Sequence, residues 1–264
     1  MDLQHICENV KELSINTGQF IRDERKKFSN NLISSKGTND FVTHVDKAAE
    51  EKLVSALSKI LPGSGFIAEE GTAQANNEKY QWIIDPIDGT TNFIHGAPPH
   101  SISIALRENE KLVMGVIYEI AMNECFYAFG DSPAYLNGEE IKCAATVNVK
   151  DSLIATGFPY NDMGLLNKFM ETLVYFFHNS HGVRRLGSAA ADLAYVACGR
   201  YDAFYEYNLN AWDVAAGSFP IQQAGGKVSD FSGGDNYLFG KEIIASTSAM
   251  FDEFQSVIHK IMKL

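Results

Sequence analysis

The sequence predicts an α/β protein with an α+β N-terminal part, on three observations. Apolar residues recur at helical spacing through most of the first sixty positions. Period-two and continuous apolar runs with tight-turn signals come next. From about residue 150, short strand patterns alternate with helical ones, as in a sheet covered by helices on both sides. The texture changes near residue 145. An N-terminal α+β subdomain is therefore expected over 1–145 and a C-terminal α/β subdomain over 146–264.

Residues 2–28 place Leu3, Ile6, Val10 and Leu13 on one helical face, with Asp2 suited to cap the helix. The stretch 29–43 reads as a polar loop. Helical spacing returns over 44–61 at Val45, Ala49, Leu53, Ala56 and Ile60, and Pro62-Gly63 stops it. YQWIID (80–85) reads as a strand that ends at Asp85, because Pro86 cannot donate to a ladder. SISIAL (101–106) alternates with period two. LVMGVIYE (112–119) and ECFYAF (124–129) read as a hairpin pair, and Asn137-Gly138 marks another tight turn. Beyond them, SLIATGF, GVRRL, DAFYE, GKVSD and EIIAST are strand candidates. Helices are expected at 165–178, 188–198, 213–224 and 249–262. Leu173 and Phe176-Phe177 are expected in the core.

Composition removes several function classes. With 264 residues, 45% hydrophobic and 21% charged, the chain is folded and large enough to wall off a cleft. The 22 basic and 33 acidic residues give a net charge of -11, which repels nucleic-acid backbones. A phosphate would need a local reversal of sign, such as bound cations. No apolar run reaches the length of a bilayer span, and MDLQHICENVKEL has no signal-peptide core. A soluble, cytoplasmic protein is expected. Cys7, Cys125, Cys143 and Cys198 form no CxxC pair, so reduced, buried thiols are expected rather than a zinc or redox site. His44, His95 and His100 lack the HExxH spacing and are expected to be structural or solvent-facing.

The richest segment is WIIDPIDGTTNF (82–93). Asp85 and Asp88 end an apolar strand, Pro86 stiffens the turn between them, and Gly89 lets backbone approach a ligand closely. A helix starting near Thr90 would aim free N–H groups at the same place and favour an anion. Carboxylates beside an anion require cations between them, and all-oxygen ligands point to Mg²⁺. A haloacid-dehalogenase-type phosphatase would have D-x-D-G-T, with one residue between the acids. Here two intervene, so Asp85 reads as a metal ligand rather than a phosphorylated nucleophile. In GFIAEEGT, Glu69 and Glu70 point to opposite faces if extended, so only one reaches a given site. Asp213 in NAWDVAAG sits where a helix should begin and could cap it.

The string WIIDPIDGTTNFIHGAPPHSISIAL, the upstream AEEGT and the downstream WDVAAGSFPIQQAGGKVSD resemble the inositol monophosphatase family, over nearly the whole chain. Lys36, Asp40, Thr43 and Asp46 fit its early loop, and GVRRLGSAAADLAYVACGRYDAFYE (182–206) fits its substrate side. The resemblance implies a layered αβαβα sandwich and Mg²⁺-dependent, lithium-sensitive hydrolysis of phosphate monoesters. It implies that Glu69, Asp85 and the Ile87 carbonyl hold one metal, and that Asp85, Asp88 and Asp213 hold a second. Glu69 would help hold a weaker third through waters. A metal-activated water would attack directly, oriented and deprotonated by the Thr90–Asp46 dyad. The amides of Gly89 and Thr90 would bind phosphate. The alcohol would meet Gly187, Ser188, Ala189 and Glu206, with Asp213 near the ester. Lys36 would sit near the third metal or the attacking water.

Thr91-Asn92-Phe93 follows Asp-Gly-Thr, as in the inositol branch, where the nucleotidase branch has Lys-Glu-Phe. Inositol monophosphate is therefore the expected substrate. Fructose 1,6-bisphosphate, NADP, histidinol phosphate and other sugar phosphates are the alternatives. Asn210 stands where the family often has His, so the alcohol side is tuned differently. The resemblance also implies a homodimer. Some bacterial relatives act with the transcription machinery as antitermination factors, a binding role for which Arg184-Arg185 is the candidate contact.

Overall fold

A computed structural model describes residues 1–27, 33–37, 40–73, 78–159 and 163–263, without the side chains of 33–37 and 40–42. The chain opens on α1 (Leu3–Lys27), and Asp2 caps it by accepting the His5 N–H at 3.0 Å. Within the expected polar loop lies a small antiparallel pair, β1 (Ile33–Gly37) and β2 (Asp40–Thr43). The correction has a simple cause. A short ladder needs backbone pairing and β-branched residues such as Ile33, Val42 and Thr43, not an apolar face. Then comes α2 (His44–Ile60), whose N-cap Thr43 accepts the Val45 N–H at 3.0 Å.

Two sheets follow. The first has seven strands in the order β3 (Gly65–Ala68), β4 (Tyr80–Asp88), β5 (Ser101–Glu108), β6 (Lys111–Glu119), β7 (Glu124–Phe129), β8 (Ala134–Leu136) and β9 (Glu139–Ile141). Only β3 and β4 run parallel within it. A short helix, α3 (Thr90–His95), leaves the end of β4. The second sheet has five strands, β10 (Leu153–Thr156), β11 (Gly182–Arg184), β12 (Ala203–Tyr207), β13 (Gly226–Ser229) and β14 (Glu242–Thr247), in the order β11-β10-β12-β14-β13. Helices α4 (Leu166–Asn179), α5 (Ala189–Ala197), α6 (Ala211–Gln223) and α7 (Phe251–Met262) alternate with them.

Four interlayer cores define the layers. Ile6, Val10 and Ile21 of α1 and Leu53 and Leu57 of α2 pack on Trp82, Ile84, Ile102 and Ile104 of the first sheet. Its other face, with Ile83, Ala105, Ile117 and Phe126, packs on Ala190, Ala194, Ala215 and Ala216 of α5 and α6. Leu193, Val214 and Phe219 of the same two helices meet Phe204 and Ala245 of the second sheet. The far face of that sheet carries Phe169, Phe176, Phe254 and Ile258 of α4 and α7. The fold is thus the layered αβαβα sandwich. Each fully buried large side chain in these cores contributes roughly 1.5–3 kcal/mol. The α5–α6 layer is rich in alanine because it must fit between two sheets at once.

Two expectations change. The first strand does not stop at Asp85 but continues to Asp88. Asp85 faces Ser103 and Asp88 faces Ser101, so three steps on β4 match two on β5. This bulge takes Pro86 out of the ladder, where its missing N–H costs nothing. Phe177 is 62% exposed while Leu173 and Phe176 are buried. Neighbours on a helix lie 100° apart, so Phe176 and Phe177 cannot both face one core.

All four cysteines are free, with Cys7 and Cys125 buried and Cys143 and Cys198 half-buried. Burial pushes the Cys7, Cys125 and Cys143 thiols up to about 12, which leaves them unreactive at neutral pH. His44 and His95 are exposed, and His100 packs edge-on against Phe93. No helix among the described residues is long and apolar enough to cross a membrane.

Candidate active site

The bulge aims β4 at the seam between the sheets. Asp85 folds its side chain back on the turn, with Oδ1 accepting the Ile87 N–H at 2.9 Å across Pro86. Asp88 reaches the start of α5, where its Oδ2 accepts the Ser188 hydroxyl and the Ala190 N–H, both at 2.6 Å. Asp213 enters from α6. It is the third residue of that helix rather than the cap, and its Oδ2 accepts the Asn210 N–H at 2.7 Å. The cap position falls to Asn210, because the helix starts at Ala211, two residues earlier than expected.

One oxygen from each of Asp85, Asp88 and Asp213 lies within 4.8 Å of the others. Glu69 lines the same cleft, of about 440 Å³, whereas Glu70 is not among the lining residues and donates its backbone N–H to Glu50 at 2.8 Å. Ile87, Gly89, Thr90, Gly187, Ser188, Ala189 and Glu206 also line it. Asp46 lies behind Thr90 and is fully buried. The Lys36 backbone is on β1, and its side chain lies outside the described residues, as does that of Asp40.

Burial, and then the charges of Glu69, Asp88 and Asp213, hold the Asp85 carboxyl well above the usual range. Burial lifts Asp88 to about 6 against the donors at Ser188 and Ala190. Asp213 and Glu206 are raised by burial and then by neighbouring carboxylates. Two unit charges 4 Å apart repel by about 4 kcal/mol at an effective dielectric of 20. Several carboxylates in one small volume therefore oppose each other unless cations lie between them. The donor set is all oxygen and partly buried, which fits hard divalent ions.

Gly89 sits at φ 94°, and a Cβ there would come within 3.0 Å of the Gly187 carbonyl and 3.1 Å of Pro99's. Only glycine permits this approach of the two halves. Gly157 clears space in another way, since a Cβ there would lie 2.1 Å from the Glu206 carboxylate. The Thr90 hydroxyl lies 3.0 Å from both Asp46 Oδ1 and the Ile87 carbonyl. It has one proton and can satisfy only one of them at a time.

Several residues in and behind the cleft carry no signal in the sequence. Ser103 donates to the Trp212 carbonyl at 2.8 Å, tying β5 to the first turn of α6 beside Asp213. Ser101 meets Ser188 at 3.3 Å, beside Asp88. Both serines are fully buried. The serine–isoleucine alternation looks like a half-exposed strand, yet in a sandwich both faces are covered. Arg185 lies 5.5 Å from the Phe158 ring, and with Lys241 it lines the cleft. No sequence signal separates them from surface charges.

Comparison with solved structures gives the class. The fold matches the extragenic suppressor protein suhB of Bartonella henselae at a TM-score of 0.91 and 35% identity, covering 98% of each chain. It matches the Thermotoga maritima IMPase at 0.87 and 34%, over 97% of this chain and 98% of that one. The inositol-1-monophosphatase of Mesorhizobium japonicum is 39% identical over 240 residues, 90% of each chain. With such neighbours, a carboxylate cleft at the seam of a layered α/β sandwich defines a phosphatase. The chain belongs to the inositol monophosphatase family, whose sequence profile it matches over residues 2–263. A further relative, the Nus factor SuhB of Escherichia coli K12, is 42% identical over 213 residues, 80% of each chain.

Proposed function

We propose that this phosphatase is Mg²⁺-dependent and that its preferred substrate is inositol monophosphate. The convergence of Asp85, Asp88 and Asp213 within 4.8 Å beside the Gly89–Thr90 turn carries the reading. Asp85 and Asp88, with Asp213, would hold one ion. Asp85, Glu69 and the Ile87 carbonyl would hold another, and Glu69 would support a third. When bound, Mg²⁺ supplies an activated water and offsets the charge of the phosphate.

The chain's own groups do the rest. Thr90 and Asp46 form the dyad that orients the water. If the Ile87 carbonyl faces an ion, the Thr90 proton goes to Asp46, and the threonine oxygen is left to accept a proton from the water. The Gly89 and Thr90 amides face the phosphate. Gly187, Ser188, Ala189 and Glu206 face the alcohol, where buried Glu206 accepts ring hydroxyls. On this reading 1–145 supplies most metal-holding groups, and 146–264 supplies the alcohol contacts and Asp213. Li⁺ is expected to inhibit by competing for a Mg²⁺ position.

A second reading, a sugar bisphosphate, is favoured by Arg185 and Lys241 in the cleft. Among the described residues no carboxylate pairs with Lys241, which leaves it available to an anion. The test is phosphate release with Mg²⁺ from inositol 1-phosphate, fructose 1,6-bisphosphate, 3'-phosphoadenosine 5'-phosphate, NADP and histidinol phosphate. Preference for the inositol ester, unchanged in Lys241→Gln, supports the first reading. Preference for a bisphosphate that Lys241→Gln reduces severalfold supports the second. No release from any of them would favour a binding role like that named for the Escherichia coli relative.

A homodimer is supported by α4, where Met170, Val174 and Phe177 are 45%, 53% and 62% exposed. Their spacing of four and three makes one apolar stripe on the outer layer. Phe177→Glu combined with Val174→Glu is expected to give a monomer by light scattering, with the fold retained. A dimer that survives both changes would place the interface elsewhere.

A further inference from the structure

The helix α2 carries two fully buried carboxylates one turn apart, Asp46 and Glu50. Asp46 meets Thr90. Glu50 has no part in the chemistry derived above, and among the described residues no cation pairs with it. Among the described residues its hydrogen-bond donors all come from one turn. Its Oε2 accepts the Glu70 N–H at 2.8 Å. Its Oε1 accepts the Thr72 N–H at 2.9 Å and the Thr72 hydroxyl at 2.7 Å.

That turn begins with Glu69, whose own N–H reaches the Ile84 carbonyl at 3.3 Å, next to Asp85. Glu69 thus leaves β3 held on one side by β4 and on the other by Glu50. Burying a carboxylate without a cation is costly, and three donors are needed to offset it. The same turn could be closed far more cheaply by an exposed side chain.

We propose that Glu50 is a positioning residue for the metal site. By clamping residues 70–72 it fixes where Glu69 stands relative to Asp85. With Asp46 one turn away, α2 then sets two parts of the cleft from behind, the dyad and the Glu69 wall. The inference rests on the reading of Glu69 as a metal-holding group.

The test is a double-mutant cycle on the full chain. Glu50→Gln keeps the size but places an amide against backbone donors. It is expected to raise the Mg²⁺ concentration for half-maximal activity by about tenfold or more, in the range of outer-shell changes at metal sites. Thr72→Val, at an exposed residue that is safe for folding, should shift it the same way by less. Titrating Mg²⁺ without substrate, by calorimetry or by its effect on melting, should show the same order. In a Glu69→Gln background, Glu50→Gln should add no further shift.

A role confined to the fold would lower melting and leave the Mg²⁺ dependence unchanged, or would shift it equally with and without Glu69. Either result overturns the inference. If Glu69→Gln itself leaves Mg²⁺ dependence untouched, the reading of Glu69 falls and takes the inference with it. If Glu69→Gln shifts it but Glu50→Gln and Thr72→Val do not, the inference alone falls.

Discussion

Asp85→Asn is expected to reduce phosphate release by about 10³-fold or more while raising the melting temperature of the metal-free protein. The two effects share a cause. Asp85 is buried, and its carboxyl is held high by burial and by Glu69, Asp88 and Asp213. A carboxyl raised in the folded state carries a penalty once it ionises. The penalty is absent below the ordinary carboxylate range near 4, grows as pH rises, and is complete above the folded value. Asp88, lifted to about 6, extends this window toward neutrality. The wild-type metal-free protein should therefore lose stability from this cluster between pH 4 and pH 7. Asp85→Asn should show a shallower slope and a melting point several degrees higher at pH 7.5, at about 2–4 °C per kcal/mol for a chain of this size. Added Mg²⁺ should raise melting in the wild type and do little in the variant. A variant less stable than the wild type at pH 7.5 without metal would mean that the carboxylates do not oppose each other.

Thr90→Ala should lower turnover by about 10²–10⁴, the usual reach of general acid–base help, and leave the Mg²⁺-induced rise in melting intact. Thr90→Ser, which keeps the hydroxyl 3.0 Å from Asp46 and the Ile87 carbonyl, should recover most of the rate. Asp46→Asn should fall with Thr90→Ala in rate but also lose stability. Its Oδ2 accepts the Thr43 N–H at 2.9 Å and the Thr43 hydroxyl at 2.5 Å at the start of α2. Full turnover in both Thr90→Ala and Asp46→Asn, with metal bound, would remove the dyad from the reaction.

What could be read beforehand was local. Asp85, Asp88, Gly89 and Thr90 lie within six residues, so their strand, turn and helix start were visible together. Asp213 arrives from 125 positions beyond Asp88, and only the family resemblance joined them. The continuation of β4 past Pro86 was hidden because a bulge is set by the partner strand, not by the proline. Glu50, Ser101 and Ser103 were hidden for a common reason. A polar residue in an amphipathic helix or an alternating strand normally faces water. Here the α5–α6 layer closes over Ser101 and Ser103, and the turn at residues 70–72 closes over Glu50.

The middle layer has a consequence for the order of events on the ribosome. The first sheet is complete at Ile141, but the helices that cover its second face, α5 and α6, end only at Gln223. At about 5–20 residues per second, a nascent chain would hold Ile83, Ala105, Ile117 and Phe126 open for several seconds. The sheet is therefore an obligate client of residues not yet made. A chain stopped near residue 145 should be captured by chaperones or aggregate rather than fold, although its strands are all present.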